Sequence, residues 1–183
     1  VSTTEHLMIW GFRVVYGYTQ SDEISLLFHP KENAFGRKLR KYDSILAGEA
    51  IVASLVEAGW NVILKPHARS LDPEEKYSGG IDWRQRLRSI EVPGRVVLCE
   101  DSDASPLLAA SDLMVTDHSS IGFEFCLLDR PVIVFDAPDL ARVARINPER
   151  IAELRSAARV VGDAALVGRA ANEEMDHPER VRA

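Results

Sequence analysis

The sequence predicts an α/β fold: a mostly parallel sheet with helices on both faces. Short apolar, β-branched runs recur along the chain as Asn61-Val-Ile-Leu-Lys65, Arg95-Val-Val-Leu-Cys99, Leu113-Met-Val-Thr116 and Pro131-Val-Ile-Val-Phe135. Each is too short for a stable helix and is flanked by polar residues, as buried parallel strands are. Segments with helical spacing lie between them, and strands alternating with helices build a parallel sheet with right-handed crossovers. The length of 183 residues and a 46% hydrophobic content suit one such domain with an attached flank.

Taken in order, residues 1–43 form a poorly defined N-terminal flank. Within it, Leu7 to Tyr18 is rich in aromatic and β-branched residues and predicts one strand or two short ones. His6 and His29 have no partner at metal-ligand spacing and read as surface residues. The run Arg37-Lys-Leu-Arg-Lys41 reads as a solvated helix face. The main domain spans 44–176. From Ser44 to Ala58 the pattern is helical, with Ile45, Gly48, Val52, Leu55 and Val56 on one face and Glu49 and Glu57 off it. Gly59 stops that helix from the C′ position.

After the strand at 61–65, Pro66 ends the ladder by removing a donor. A short helix is expected over 82–89, then Pro93-Gly94 turns the chain into the strand at 95–99. Ser105-Pro106 reads as an N-cap followed by proline at the first helical position, opening a helix to Ala110. The strand at 113–116 runs through Asp117 to Ser120 into another helix, and the strand at 131–135 follows. Asn147-Pro148 and Gly162-Asp163 punctuate helices over 149–158 and 163–175, with Val160-Val161 as a short last strand between them. Residues 177–183 look like the start of a helix cut short, and the chain opens on Val1, so a piece of a longer protein is expected.

A formal charge of −6 and a pI near 5.4 argue against a general nucleic-acid or membrane-surface binder. Cys99 and Cys126 sit in apolar contexts and read as reduced core residues; no Cys-x-x-Cys suggests a structural zinc site. No apolar run approaches the roughly 18 residues that a membrane span needs, and no signal peptide is evident.

In parallel sheets, ligands bind outside the carboxyl ends of the strands. Here those ends carry His67, Glu100-Asp101, Asp117-His118-Ser119-Ser120 and Asp136. Four successive strands thus deliver polar or titratable residues to one expected edge, the default candidate for a site. Asp117, Ser119 and Ser120 suit a helix start, where free amides and the helix dipole favour an anion; an ordinary N-cap is the competing reading. His67 is a candidate general base or cationic phosphate stabiliser, with Lys65 and Arg69 as further positive charge. Glu124 could reach a ribose diol or simply favour the helix N-terminus.

His118 lies beside Ser119, but adjacent side chains rarely form a nucleophile–base pair, and no Gly-x-Ser-x-Gly elbow is present. Asp101, Asp117, Asp136 and His118 are oxygen- and nitrogen-bearing groups, yet nothing in their spacing requires a metal, so none is expected. Gly-x-Gly-x-x-Gly and Walker A sequences are absent, which argues against a dinucleotide oxidoreductase or a P-loop nucleotidase.

Three motifs in order resemble the nucleotide-binding half of CDP-glycerol glycerophosphotransferases, the teichoic-acid primase and polymerase-like enzymes. They are Ile63-Leu-Lys-Pro-His67, Leu107-Leu-Ala-Ala-Ser-Asp-Leu-Met-Val-Thr-Asp-His-Ser-Ser120 and Phe123-Glu-Phe-Cys-Leu-Leu-Asp-Arg-Pro-Val-Ile-Val-Phe-Asp136. The resemblance covers residues 60–140 well and the flanks poorly. It implies one Rossmann-like half of a GT-B-type fold, the donor-binding C-terminal half. It also implies transfer of glycerol phosphate from CDP-glycerol to a membrane-linked acceptor, with no metal or other cofactor and no nucleic acid. By this resemblance His67 matches the catalytic histidine, and Thr116, Asp117, Ser119 and Ser120 match the loop at the donor phosphates. Glu124 stands where the family tends to place an acidic residue.

Two departures accompany the likeness. His118 occupies a position that is commonly tyrosine, and the chain is too short to hold the acceptor-side domain. The expectation is therefore a donor-binding half that needs a further N-terminal domain, located in the cytoplasm or peripherally at the inner face of the cell membrane. The alternatives are a GT-B nucleotide-sugar transferase or sugar-nucleotide epimerase, and a nucleotide-binding module without catalysis.

Overall fold

The structure, a computed structural model, describes residues 14–20, 23–28, 39–72, 74, 82–117, 119–136 and 147–177. The chain forms two compact units. One comprises Val1–Ala53 with Asn61–Glu100, the other Ser54–Trp60 with Asp101–Ala183. The expected mixed α/β architecture with Rossmann-like parallel strands is present, and its parallel strands are divided between two sheets.

In the first unit, β1 (Val14–Gln20) and β2 (Glu23–Phe28) form an antiparallel hairpin, pairing Tyr18 with Ser25 and Gln20 with Glu23. Only part of the expected strand region over 7–18 is described, and β2 was not among the expected strands, although Ile24 to Phe28 has the composition of one. Helix α1 (Leu39–Glu57) begins five residues before the expected start at Ser44 and continues across the boundary between the units at Ala53 and Ser54.

β3 (Val62–Leu64) and β4 (Val96–Leu98) pair in parallel, Ile63 beside Val97. Between them lie a 3-10 turn at Ala68–Leu71 and α2 (Trp83–Ser89). Asp82 starts α2 by accepting the Gln85 amide. Arg84 and Arg88 of α2 both bond the Glu100 carboxylate, which holds its pKa below the ordinary range.

One expectation for α1 is overturned. Glu49 is buried at 2% exposure, while Gly48, expected inside, is exposed. The buried face runs through Glu49, Ala50, Val52, Ser54 and Leu55, so it is rotated from the stripe that apolar spacing picks out. Counting apolar residues cannot find a buried carboxyl.

The second unit contains the three-stranded parallel sheet of β5 (Met114–Thr116), β6 (Val132–Phe135) and β7 (Arg159–Val161), in that order. Thr116 pairs with Val134, and Phe135 with Val161. Before β5 comes α3 (Ser105–Ala110); α4 (Ile121–Cys126) connects β5 to β6, and α5 (Pro148–Ser156) precedes β7. A 3-10 turn at Ala164–Leu166 then leads into α6 (Val167–Asp176).

Strand alternation divides β6 between two faces. Val132 and Val134 join Phe125 of α4 and Leu154 of α5 in one buried cluster, with Leu108, Met114 and Phe123 packed against it. Ile133, fully buried, points the other way, and α6 packs on β6 and β7. The last turn of α1 ends in the expected glycine stop. Gly59 has φ 97°, its amide reaches the Val56 carbonyl at 3.1 Å, and Trp60 N–H reaches the Leu55 carbonyl at 2.9 Å. This pair of bonds is a Schellman motif, whose left-handed residue favours glycine.

Two expected caps are corrected. The residue before α3 is Ala104, which makes no side-chain cap bond, and Pro106 lies within the first two helical positions. The Asp103 carboxylate instead accepts the Ser105 amide at 2.9 Å, and that bond lowers the Asp103 pKa. Ser120, at the start of α4, likewise makes no side-chain cap bond because its own φ and ψ of −60° and −25° are already helical. A capping side chain needs an extended backbone to fold back on its helix.

Arg130 closes the far end of α3. Its Nη1 donates to the carbonyls of Ala109 at 2.8 Å and Ser111 at 2.6 Å. These are among the carbonyls that a helix end leaves unpaired. Arg130→Ala is expected to cost about 1–2 kcal/mol, since hydrogen bonds to charged groups exceed neutral ones; a urea titration checks it. Among the described residues no helix is long and apolar enough to cross a membrane.

Candidate functional site

The carboxyl edge of the β5–β6–β7 sheet gathers most of the residues singled out in the sequence. Thr116 ends β5, partly buried. The chain passes through Asp117 and Ser119, both half-buried, to the exposed Ser120, and enters α4 there. The Gly122 amide bonds the Ser119 carbonyl at 3.1 Å and the Phe123 amide bonds the Ser120 carbonyl at 3.1 Å. Two of the amides counted as free for an anion are therefore engaged by the tight first turn itself. Glu124 lies exposed on α4. His118 lies outside the described residues.

Gly122 explains how the turn is held. A Cβ placed on it would come 3.0 Å from Leu154 Cδ2 and 3.3 Å from Thr116 Cγ2. The start of α4 is drawn against both the end of β5 and α5, so closely that an added Cβ would make the Leu154 and Thr116 side chains shift by a few tenths of an ångström. The Ser119-Ser-Ile-Gly122 sequence contains this signal, which motif reading overlooked.

Asp136 immediately follows β6, as expected. Its amide bonds the Val161 carbonyl at 2.8 Å, and its carboxylate is taken by Arg155 of α5, with Nη1 to Oδ1 at 2.7 Å and Nη2 to Oδ2 at 3.5 Å. Arg150, on the same helix, places its guanidinium over the Phe123 ring at 5.5 Å, a cation–π contact. Neither arginine was among the sequence candidates. Both stand in a helix that reads as an ordinary solvated face, and only the crossover brings them to β6 and α4.

Lys65 and His67 belong to the first unit. Lys65 is half-buried just after β3, and His67 is exposed at its carboxyl side, beyond Pro66. The structure thus brings together Thr116, Asp117, Ser119, Ser120, Glu124 and Asp136 in one unit, while Lys65 and His67 stand in the other. Among the described residues, no three His, Cys, Asp or Glu side chains form a group able to hold a metal ion.

A cleft of about 280 Å³ lies elsewhere in the second unit, lined by Arg159, Gly162, Leu166, Arg169 and Glu173 among others. Its arginines are already matched: Arg159 bonds Glu173 at 2.6 Å and Glu174 at 3.3 Å, and Arg169 bonds Glu173 at 2.7 Å. The Arg159 and Arg169 bonds lower the Glu173 pKa. Neutralised in this way, the cleft offers a ligand less than the carboxyl edge does.

Residues 76–145 match the family model described as CDP-glycerol:poly(glycerophosphate) glycerophosphotransferase. Residues 1–74 match the model described as tRNAHis guanylyltransferase. Neither match spans half of the chain. The first contains β5, α4 and β6 with Thr116 to Ser120, Glu124 and Asp136; Lys65 and His67 fall within the second. No curated protein and no solved structure matches the chain. The stretch from α2 through β6 is similar to glycerophosphotransferases, and the segment that precedes it is similar to a different transferase.

Proposed function

We propose that the second unit, which contains residues 101–145 of the family match, binds the nucleotide-diphosphate donor of a glycerophosphotransferase-like reaction, CDP-glycerol being the donor. The observation that carries this reading is the coincidence of the family match with a strand–turn–helix in which Thr116, Asp117, Ser119 and Ser120 gather at a sheet's carboxyl edge. In such a reaction an acceptor hydroxyl attacks the glycerol-bearing phosphorus, the anhydride bond breaks and CMP leaves. Hydroxyls and amides of the turn would offset charge on the leaving phosphate. His67, with Lys65, is the proposed proton acceptor or phosphate stabiliser that the resemblance implies, and His118 is a further proposed phosphate ligand. A membrane-linked acceptor and a location at the inner membrane face belong to the same proposal.

Calorimetry of the chain with CDP-glycerol, CMP, UDP and UDP-sugars tests it. Tighter binding of the cytidine ligands is expected; uridine preference would favour a nucleotide-sugar transferase instead. His67→Ala is expected to abolish glycerophosphate transfer while changing nucleotide affinity less than about threefold. A large affinity loss would make His67 a binding residue.

The match of residues 1–74 favours a second reading, guanylyl transfer to a tRNA by the segment containing β1, β2 and α1. It would bring in a nucleic-acid partner that the acidic composition argues against. Incubation with labelled GTP and tRNAHis discriminates: incorporation of label supports this reading, and its absence alongside cytidine-ligand binding leaves the first.

A further inference from the structure

The proposed donor site carries an electrostatic difficulty. Asp117, Glu124 and Asp136 are three carboxylates at the edge where a diphosphate would sit, and like charges at short range repel. A cation must enter from another element. We infer that Arg155, oriented by Asp136, makes the cationic contact to a phosphate group of the ligand, and that Asp136 is a positioning residue and not itself a ligand contact. This rests on the donor reading above.

Register supports the placement. Thr116, the last residue of β5, pairs with Val134, so Asp136 lies just past the level of Thr116, at the same carboxyl edge. Helix direction supports it as well. α5 returns the chain from the end of β6 to the start of β7, so it runs against the strands. Side chains on a helix lean toward its N-terminus, and Arg155, from near the end of α5, therefore reaches back toward the carboxyl edge. There it meets Asp136.

The chemistry of the pair completes the argument. Two of the five N–H donors of a guanidinium face the Asp136 oxygens. The Arg155 side chain is still 34% exposed, which leaves donors open to solvent or to a ligand. A planar fork held by a carboxylate is pre-organised for phosphate oxygens. Arg155 also lies beyond residues 76–145, outside the family match.

The test is calorimetry of the 183-residue chain with inorganic pyrophosphate, CDP-glycerol and cytidine, accompanied by thermal melts of each variant. Arg155→Met is expected to weaken pyrophosphate and CDP-glycerol binding about 10- to 100-fold, as loss of a charged hydrogen bond does, without changing any cytidine binding. Arg155→Lys should recover part of that loss. Asp136→Asn should weaken pyrophosphate binding severalfold when Arg155 is present but not in the Arg155→Met background, a dependence on the arginine that a merely structural role of Asp136 would not produce.

Unchanged pyrophosphate affinity in a folded Arg155→Met overturns the inference. Should that variant fail to fold, unchanged affinity in Arg155→Gln, which also removes the charge, overturns it equally, and so does a wild type that binds no pyrophosphate and no CDP-glycerol. CDP-glycerol bound equally by wild type and Arg155→Met sinks the arginine assignment but leaves the donor reading standing. Arg155-dependent pyrophosphate binding with no response to CDP-glycerol supports the arginine and sinks the donor.

Discussion

Gly168→Ala is expected to destabilise the second unit by about 3 kcal/mol, the upper part of the range for overpacking a close contact. Gly168 lies in the first turn of α6, where it meets the end of α1. Its amide donates to Ser54 Oγ at 2.9 Å, and that hydroxyl donates to the Ala165 carbonyl at 2.8 Å. An added Cβ would overlap the Ser54 carbonyl oxygen and come 2.8 Å from Ala58 Cβ. The obstacle is backbone, so no rotamer change relieves it, and the two elements must separate.

In an open helix the same exchange stabilises, by up to about 1 kcal/mol. Gly48 of α1 has nothing within 4 Å of such a Cβ and serves as the control. Urea midpoints that fall for Gly168→Ala and rise or hold for Gly48→Ala are the expected pair. A neutral result at Gly168 would mean that α6 and α1 are not in close contact.

Glu49 sets a second large effect, on pH dependence. Its side chain is buried, and neither carboxyl oxygen has a hydrogen-bond partner among the described residues. Desolvation pushes its pKa up from 4.5 to about 10, against a weaker opposing pull from Arg86. The folded chain therefore keeps this proton up to about pH 10, whereas the unfolded chain releases it near 4.5. Between those values the folded state binds more protons, so stability falls as pH rises.

At 1.36 kcal/mol per unit, the cost accumulated by pH 7 is on the order of 3 kcal/mol. Glu49→Gln removes the titration and is expected to flatten the slope of the unfolding midpoint between pH 5 and 9, leaving the variant more stable than wild type at pH 8. Glu49→Met, which also removes the unpaired oxygens, should gain at least as much. Parallel pH profiles for wild type and Glu49→Gln would show that the carboxyl reaches solvent.

Both residues mark the limit of what the sequence discloses. The strands were legible because β-branched runs bounded by polar residues admit few other structures, and β3 to β7 lie within a residue or two of their expected positions. Gly59 was legible as a helix stop because its role is local. Gly168, Glu49 and Arg155 were not, since each acts through a neighbour far along the chain: Gly168 through Ser54, Arg155 through Asp136, Glu49 through the side chains that cover it. Ser120 and Ser105 failed as caps for a smaller reason. Capping depends on the backbone angles of one residue, and composition does not specify those. Of the candidate site, the strand-to-helix placement of Thr116, Asp117, Ser119 and Ser120 could be read off the chain, whereas the cation that balances Asp136 could not.

The two cysteines have a use that follows from their positions. Both thiols are free and half-buried, and the chain places Cys99 in the first unit and Cys126 in the second. Burial pushes the Cys126 thiol above its ordinary pKa, which keeps its reactive thiolate scarce while the surrounding core is intact. Each unit thus carries a native chemical clock. Alkylation at Cys99 and at Cys126, resolved by peptide mass, times the opening of the two units separately in one unmodified chain.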